Sequence, residues 1–274
     1  MRVFLSADIE GVAGVANTSA TVPGGHGYDQ ACRWMTGEVT AAIDGAKEAG
    51  ASSVIVADGH GGADNLILDA LPSGTEVVRS WPRPIAMMQG IETDCDVAIF
   101  IGYHTGAHEA DGVLAHTFRG LQIASVAING QPASELTFNA MVAAEYGVPV
   151  VLVTGDEATC RHAHSRLEDV ETVAVKSELG RYSARTLLPA EAQNRIREQT
   201  IKSLRKERPA LRSSSSALPI EITFKHHWNA ELLSFLPYIE RRGACGIAFT
   251  ASSAREAAGI FQFITSYTPL PPEA

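Results

Sequence analysis

Val3-Phe4-Leu5-Ser6-Ala7 and Ser53-Val54-Ile55-Val56-Ala57 are two short apolar runs separated by a stretch of a different period. Within that stretch, Tyr28–Gly50 places Ala31, Trp34, Met35, Val39, Ala42 and Ala46 on one helical stripe, with Gly50 positioned as a C-cap. Strand, helix and strand in this order predict an α/β fold with a largely parallel sheet. The alternation continues outward. Thr75–Val78, Asp96–Ile101, Val150–Val153 (entered through Pro149) and Thr172–Val175 read as further strands, and Ala158–Leu167 as a helix. Val113–Phe118 and Ile123–Ile128 predict a hairpin turning at Arg119–Gly120 beside the parallel strands. Pro132 suits a first helical turn, which predicts a helix running to about Tyr146.

From about residue 190 the texture changes. Pro189–Glu207 reads as a long charged helix, and Arg208–Pro219 as a Ser/Pro-rich connection whose Ser213–Ser216 tract is a flexible tether. Strand Ile220–Phe224, helix Asn229–Leu236, strand Cys245–Thr250 and helix Ala254–Tyr267 follow. The expected architecture is a three-layer α/β/α metal-site domain over residues 1–189 with a largely parallel sheet. A smaller C-terminal α+β domain over 190–274 is expected to serve oligomerisation, through apolar edges such as Ile220–Phe224 and Phe261–Ile264.

The 274 residues are 45% hydrophobic and 19% charged, enough to bury a sizeable core and too apolar for wholesale disorder. Net charge is −9, and no basic stripe is long enough to follow a phosphate backbone, so nucleic-acid binding is not expected. No apolar run approaches the roughly 18–20 residues of a membrane span. Asp8 falls too early for the core of a signal peptide. Cys32, Cys95, Cys160 and Cys245 include no CxxC pair and suit four reduced thiols, which points to a cytoplasmic protein.

Side chains that ligate metals cluster at predicted strand ends. Asp8 and Glu10 follow the first strand and, two apart, leave an extended backbone on one face. Asp58 and His60 follow the second strand, Tyr103 and His104 the fourth, and Glu135 lies in the first turn of the helix entered at Pro132. In open parallel sheets the carboxyl ends of the strands line the ligand crevice, so these groups can converge there. Asp8, Glu10, His60, His104 and Glu135 form a mixed N/O set without thiolate. Such a set suits a catalytic zinc pair, or manganese, better than a closed structural zinc site. Asp8 is best placed to bridge two ions.

Asp-Gly-His after a strand also occurs in binuclear metallophosphoesterases, which makes a metal phosphoesterase the alternative reading. Against it, no second Gly-Asp block with an Asn-His partner and no Gly-His-x-His ending is present. A non-catalytic binder that keeps metal as structure is a third reading. Neither Gly24–Gly25 nor Gly61–Gly62 has the lysine spacing of a phosphate loop.

The chain resembles the DppA-type zinc D-aminopeptidases, self-compartmentalising bacterial metallopeptidases. The resemblance is carried by Ser-Ala-Asp-Ile-Glu-Gly (6–11), Met-Thr-Gly-Glu (35–38), Ala-Asp-Gly-His (57–60) and Ile-Gly-Tyr-His (101–104). Gly-Val-Leu-Ala-His-Thr (112–117), Ile-Asn-Gly-Gln-Pro-Ala-Ser-Glu (128–135), Val-Thr-Gly-Asp (153–156) and Ala-Val-Lys (174–176) extend it. It runs from Val3 to about Arg185 and continues more weakly to the C-terminus. It implies two Zn2+ ions per subunit, held by Asp8, Glu10, His60, His104 and Glu135, with His116 as the catalytic group. It also implies a zinc-activated hydroxide attacking short peptides with an N-terminal D-residue such as D-alanine. The assembly it implies is a homodecamer of two stacked five-fold rings enclosing the active sites.

Two segments depart from the family pattern: Thr18–Gly27 looks longer, and Thr105–Asp111 carries an extra residue and an extra histidine, His108. Both are expected to rim the site. His26 and His108 read as solvated loop residues, His162 and His164 as surface positions of a charged helix, and His226-His227 as packing or interface residues. Lys176 and Arg181 are basic residues that can hold a peptide carboxylate, an interface partner or an ordinary ion pair.

Overall fold

In the computed structural model, which describes residues 1–208, 211 and 217–267, the elements follow the predicted alternation closely. In chain order they are β1 (Arg2–Ala7), α1 (Tyr28–Glu48), β2 (Ser53–Asp58), β3 (Thr75–Val78), β4 (Val97–Tyr103), β5 (Ile123–Ile128) and β6 (Gln131–Pro132). Next come α2 (Glu135–Glu145), β7 (Val150–Asp156), α3 (Glu157–Arg166), β8 (Glu171–Gly180), β9 (Ser183–Thr186) and α4 (Pro189–Arg205). Last are β10 (Leu218–Phe224), α5 (His227–Leu233), β11 (Glu240–Arg242), β12 (Gly246–Ala251) and α6 (Ala254–Ser266). The expected Ser213–Ser216 tether lies outside the described residues.

The first sheet has the order β3-β2-β1-β4-β7-β8-β9, parallel throughout except for the antiparallel edge strand β9. After β1 the chain builds outward through β2 and β3, then returns to place β4 on the other flank of β1. The strand order therefore reverses between β1 and β4, and at such a switch point the connecting loops diverge and leave a crevice.

Alternation along β1 sends side chains into two cores. Val3, Leu5 and Ala7 pack with Met35, Val39 and Ile43 of α1 and with Ala192 and Ile196 of α4. Phe4 points the other way, into a core shared with Phe100, Phe138 of α2, Phe261 of α6, and Val126 and Ile222 of a second sheet. That second sheet is antiparallel, in the order β11-β12-β10-β5-β6.

The hairpin expected around Arg119–Gly120 does not form. β5 pairs instead with β10, Ile128 opposite Ile220 and Val126 opposite Ile222. Residues 113–118 are irregular, with Leu114 at φ 58° and Phe118 at φ 56°, a left-handed conformation that breaks a strand. The helix expected from Pro132 starts later, because Pro132 belongs to β6. The start is set by Ser134, whose hydroxyl accepts from the Thr137 N–H while the Thr137 hydroxyl accepts from the Ser134 N–H, a reciprocal cap. α4 lies with α1 against the first sheet, and β5 and β6 contribute to the second.

Candidate metal centre

The crevice between β1 and β4 is built by two glycines. A Cβ at Gly11 would stand 1.9 Å from the Tyr103 carbonyl oxygen, and one at Gly102 would stand 2.3 Å from that of Asp8. Gly102 also adopts φ 69°, which side chains rarely tolerate. Their absence of side chains lets the loop after β1 lie against the end of β4, where the Gly11 N–H bonds to the Gly102 carbonyl at 2.8 Å. Asp8, Glu10 and His104 are thereby drawn together.

The loop that carries Glu10 is fastened from below. Lys176 Nζ, from the middle of β8, is buried and donates to the carbonyls of Glu10, Val12 and Val15. Glu38 of α1, also buried, accepts from the Ala13 N–H at 2.8 Å. Lys176 therefore holds neither a substrate carboxylate nor a simple ion pair; it satisfies three backbone oxygens that have no ladder partner. Burial lowers its pKa to about 8, against the pull of Asp156, Glu38 and Glu10.

Burial pushes the Glu38 carboxyl the other way, up to about 7, although the Ala13 N–H and Lys176 oppose it. A folded-state pKa above the ordinary 4.5 means that the native chain holds a proton the unfolded chain releases. This contribution to stability is complete below about pH 4.5 and lost as pH rises through about 7. Glu38→Gln keeps an oxygen for the Ala13 N–H and removes the titration. The Tm of the variant relative to wild type is therefore expected to rise between pH 5 and pH 8; a constant difference across that range would refute the assignment.

Six predicted side chains meet at the crevice. Asp8 divides its carboxylate: Oδ1 stands 3.2 Å from His60 Nδ1, and Oδ2 stands 3.4 Å from His104 Nε2. Glu10 Oε2 lies 2.9 Å from His60 Nδ1, and Glu135 Oε1 lies 3.3 Å from His104 Nε2. His116 stacks on His104 with ring centroids 4.2 Å apart, its Nε2 3.8 Å from Glu135 Oε1.

In each of the three imidazoles one nitrogen is taken by a backbone carbonyl. His60 Nε2 meets the Thr21 oxygen at 2.6 Å, His104 Nδ1 that of Thr105 at 2.8 Å, and His116 Nδ1 that of Leu114 at 2.9 Å. A carbonyl only accepts, so these nitrogens carry protons, and the opposite nitrogens are the ones turned to the carboxylates, where each can hold a second proton or ligate a cation. That is the arrangement of a ligating histidine with its outer nitrogen held in place. The segment expected to rim the site, Thr18–Gly27, does so through the Thr21 carbonyl.

The electrostatics fit a cation. Burial pushes the Asp8 carboxyl up, but the adjacent His104 and His60 prevail and hold it well below the usual carboxylate range. Burial likewise disfavours protonated His60 and His104. Glu10 and Asp8 around the first, and Glu135 and Asp8 around the second, overcome it and raise both rings well above the ordinary imidazole value. Three buried carboxylates thus attract positive charge strongly. Glu10 Oε2 and His104 Nε2 are buried atoms without a hydrogen-bond partner, as metal donors are.

Other residues near strand ends have different duties. Asp58 turns its carboxylate to the Asn65 and Leu66 N–H groups at 2.7 and 2.9 Å, and so shapes the loop that carries His60. The Tyr103 hydroxyl bonds to Ser6 and Asn139 in the core. His162, expected at the surface, is buried, with Nε2 2.9 Å from Ser134 Oγ. His26, His226 and His227 are exposed, so neither of the paired histidines packs within its own chain. Arg181 is exposed beside Tyr182.

Beside Glu135 opens a groove of about 370 Å3, walled by Trp81, Met87, Phe118 and Arg119 on one side and by Phe261 and Thr265 of α6 on the other. Sequence spacing gave no sign of it, because its lining comes from five separate segments. Among the described residues no helix is long and apolar enough to cross a membrane.

The geometry has counterparts among known proteins. A D-aminopeptidase of Bacillus subtilis (strain 168) is 30% identical over 261 residues, covering 94% of each chain. The solved structure of the Zn-dependent D-aminopeptidase DppA from Bacillus subtilis, described as a self-compartmentalizing protease, superposes with a TM-score of 0.92. It has 27% identity to this chain and covers 99% of it and 100% of its own. The family described as Peptidase M55, D-aminopeptidase, matches residues 1–263. With that match spanning nearly its whole length, the chain belongs to the M55 family of D-aminopeptidases.

Proposed function

We propose that this D-aminopeptidase hydrolyses short peptides bearing an N-terminal D-residue such as D-alanine, with a zinc pair held by Asp8, Glu10, His60, His104 and Glu135. The observation that carries this reading is the divided carboxylate of Asp8, each oxygen facing a different imidazole. When bound, such a pair supplies Lewis acidity toward the scissile carbonyl and lowers the pKa of water to near neutrality. The chain's own residues supply the rest. A substrate's free amine is received at this acidic centre, by one ion or by a nearby carboxylate, which accounts for cleavage at an N-terminus. Glu135 is held by the Phe118 N–H at 2.7 Å, so it does not swing when substrate enters. His116, with Nδ1 on the Leu114 carbonyl and Nε2 facing Glu135, is placed to accept a proton and return it to the leaving amine. The groove beside Glu135 has the volume for a few residues, which limits substrates to short peptides.

The test compares D-alanyl-p-nitroanilide, L-alanyl-p-nitroanilide and p-nitrophenyl phosphate, before and after chelation and zinc readdition. Zinc-dependent turnover of the D-alanyl substrate alone is expected. Phosphatase activity would restore the phosphoesterase alternative, and no metal-dependent turnover of any peptide would leave a binding protein.

The self-compartmentalizing relative supports a homo-oligomer, by resemblance a decamer of two stacked five-fold rings. The apolar edges expected to serve it are mostly consumed: Ile220, Ile222, Phe224, Phe261 and Ile264 are buried within the chain. Phe263 of the second edge stays exposed, and Leu121, Leu179, Leu188, Phe235 and Tyr238 are among the other exposed apolar groups left for subunit contacts. Light scattering is expected to give a multimer; a fully active monomer at micromolar concentration would overturn the assembly.

A further inference from the structure

Outside the proposed zinc pair stands another group of ligating side chains. His108 and Glu109 lie on the loop after β4, in the segment that departs from the family pattern, and His162 lies on α3. One ligand atom from each falls within 4.8 Å of the other two. Glu109 Oε1 is 3.3 Å from His108 Nε2 and 3.5 Å from His162 Nδ1. Donors on one tetrahedral zinc, at bond lengths of about 2.0–2.1 Å, stand about 3.3–3.4 Å apart.

The side chains are also aimed for such a role. His108 Nε2 is buried and has no hydrogen-bond partner, despite the carboxylate beside it. Its ring rests against Gly106, where a Cβ would come within 2.6 Å of Cε1, so the loop backbone fixes its direction. His162 has a side chain only 3% exposed, and its Nε2 is engaged with the Ser134 hydroxyl at 2.9 Å. Nδ1 is therefore the nitrogen presented to Glu109, and a hydroxyl oxygen holds the outer nitrogen as in a ligating histidine. Burial disfavours protonation of both rings and lowers both pKa values; the charge of Arg166 acts in the same direction, while Glu109 opposes it. Neutral imidazole is the form that binds metal. Glu109, with its side chain 39% exposed, opens the group to solvent for the remaining coordination.

We propose that His108, Glu109 and His162 form a further divalent-cation site of zinc type, separate from the pair at Asp8. An ion there would tie the loop after His104 to α3. Through Ser134, it would also be linked to the cap of α2, whose first residue is Glu135. The donor set of two imidazoles and one carboxylate favours Zn2+ over Mg2+ or Ca2+, which prefer all-oxygen sites.

The full-length protein, wild type and His108→Ala, is saturated with Zn2+, freed of excess ion and assayed for zinc per chain by elemental analysis. Zn2+ uptake is then titrated against a chromogenic chelator. Wild type is expected to hold one ion per chain more than His108→Ala. Glu109→Gln is expected to weaken uptake of that ion at least tenfold, with unchanged circular dichroism. Asp8→Ala tests the separation, since it should keep the His108-dependent ion whatever becomes of the others. Equal zinc content and equal titrations for wild type and His108→Ala would overturn the proposal. So would loss of the His108-dependent ion in Asp8→Ala. Failure of the zinc-pair reading would appear instead as an unchanged count on removing Asp8, with the difference between wild type and His108→Ala intact.

Discussion

His116→Asn is expected to keep its fold and zinc content and to lose about 100- to 10,000-fold in kcat, the usual worth of a positioned acid–base group. Its ring is held at two points. Nδ1–H donates to the Leu114 carbonyl, and the ring face lies on His104 at an interplanar angle of 9°. These contacts leave Nε2 at the rim, 3.8 Å from Glu135 Oε1, with the side chain 19% exposed to the space where substrate arrives. Asn can replace the hydrogen bond to Leu114 but cannot carry a proton at neutral pH. His116 is also close enough to His104 and Glu135 to act as a ligand itself. The experiment therefore reads kcat on a D-alanyl substrate together with zinc per chain. Normal zinc and near-normal kcat would make His116 a structural residue, and loss of zinc would make it a ligand.

Asp8→Ala is expected to abolish binding of both catalytic ions, whereas Glu10→Ala loses mainly one. The asymmetry follows from how the carboxylates are shared. Glu10 Oε2 approaches His60 at 2.9 Å, and Glu135 approaches His104 at 3.3 Å, so each serves one imidazole. Asp8 alone reaches both. Removing it takes a donor from each half and leaves two buried carboxylates to repel one another across a low-dielectric gap. Zinc content at saturation, measured on variants with native circular dichroism, separates the two cases. Equal losses in the two variants would end the bridging assignment.

Much of this protein was legible in the chain itself. The parallel sheet followed from apolar runs of four to six residues alternating with one-sided helical stripes, because each pattern buries only in its own period. Asp8, His60 and His104 were recognisable because a strand end is a place in sequence as well as in space, and parallel strands deliver all such ends to one edge.

Tertiary structure decided what depends on the groups lying opposite. Ile123–Ile128 has the same alternation whether it pairs with residues 113–118 or with β10, and only the second partner buries Val126 and Ile128 against α2 and α6. Pro132 suits a first helical turn as well as an edge strand; the reciprocal cap of Ser134 and Thr137 chose between them. Lys176 read as a partner for a carboxylate or an interface and His162 as a surface residue, because nothing adjacent in sequence shows the three carbonyls above one or the serine and glutamate beside the other. The division of Asp8 between two imidazoles was likewise a matter of approach. It required Gly11 and Gly102 to let two loops meet at a distance no side chain would permit. Periodicity is a property of one segment and survives in the sequence; the partner of a strand or of a buried charge is set by free-energy differences between whole packings, and these exist only once the chain has closed on itself.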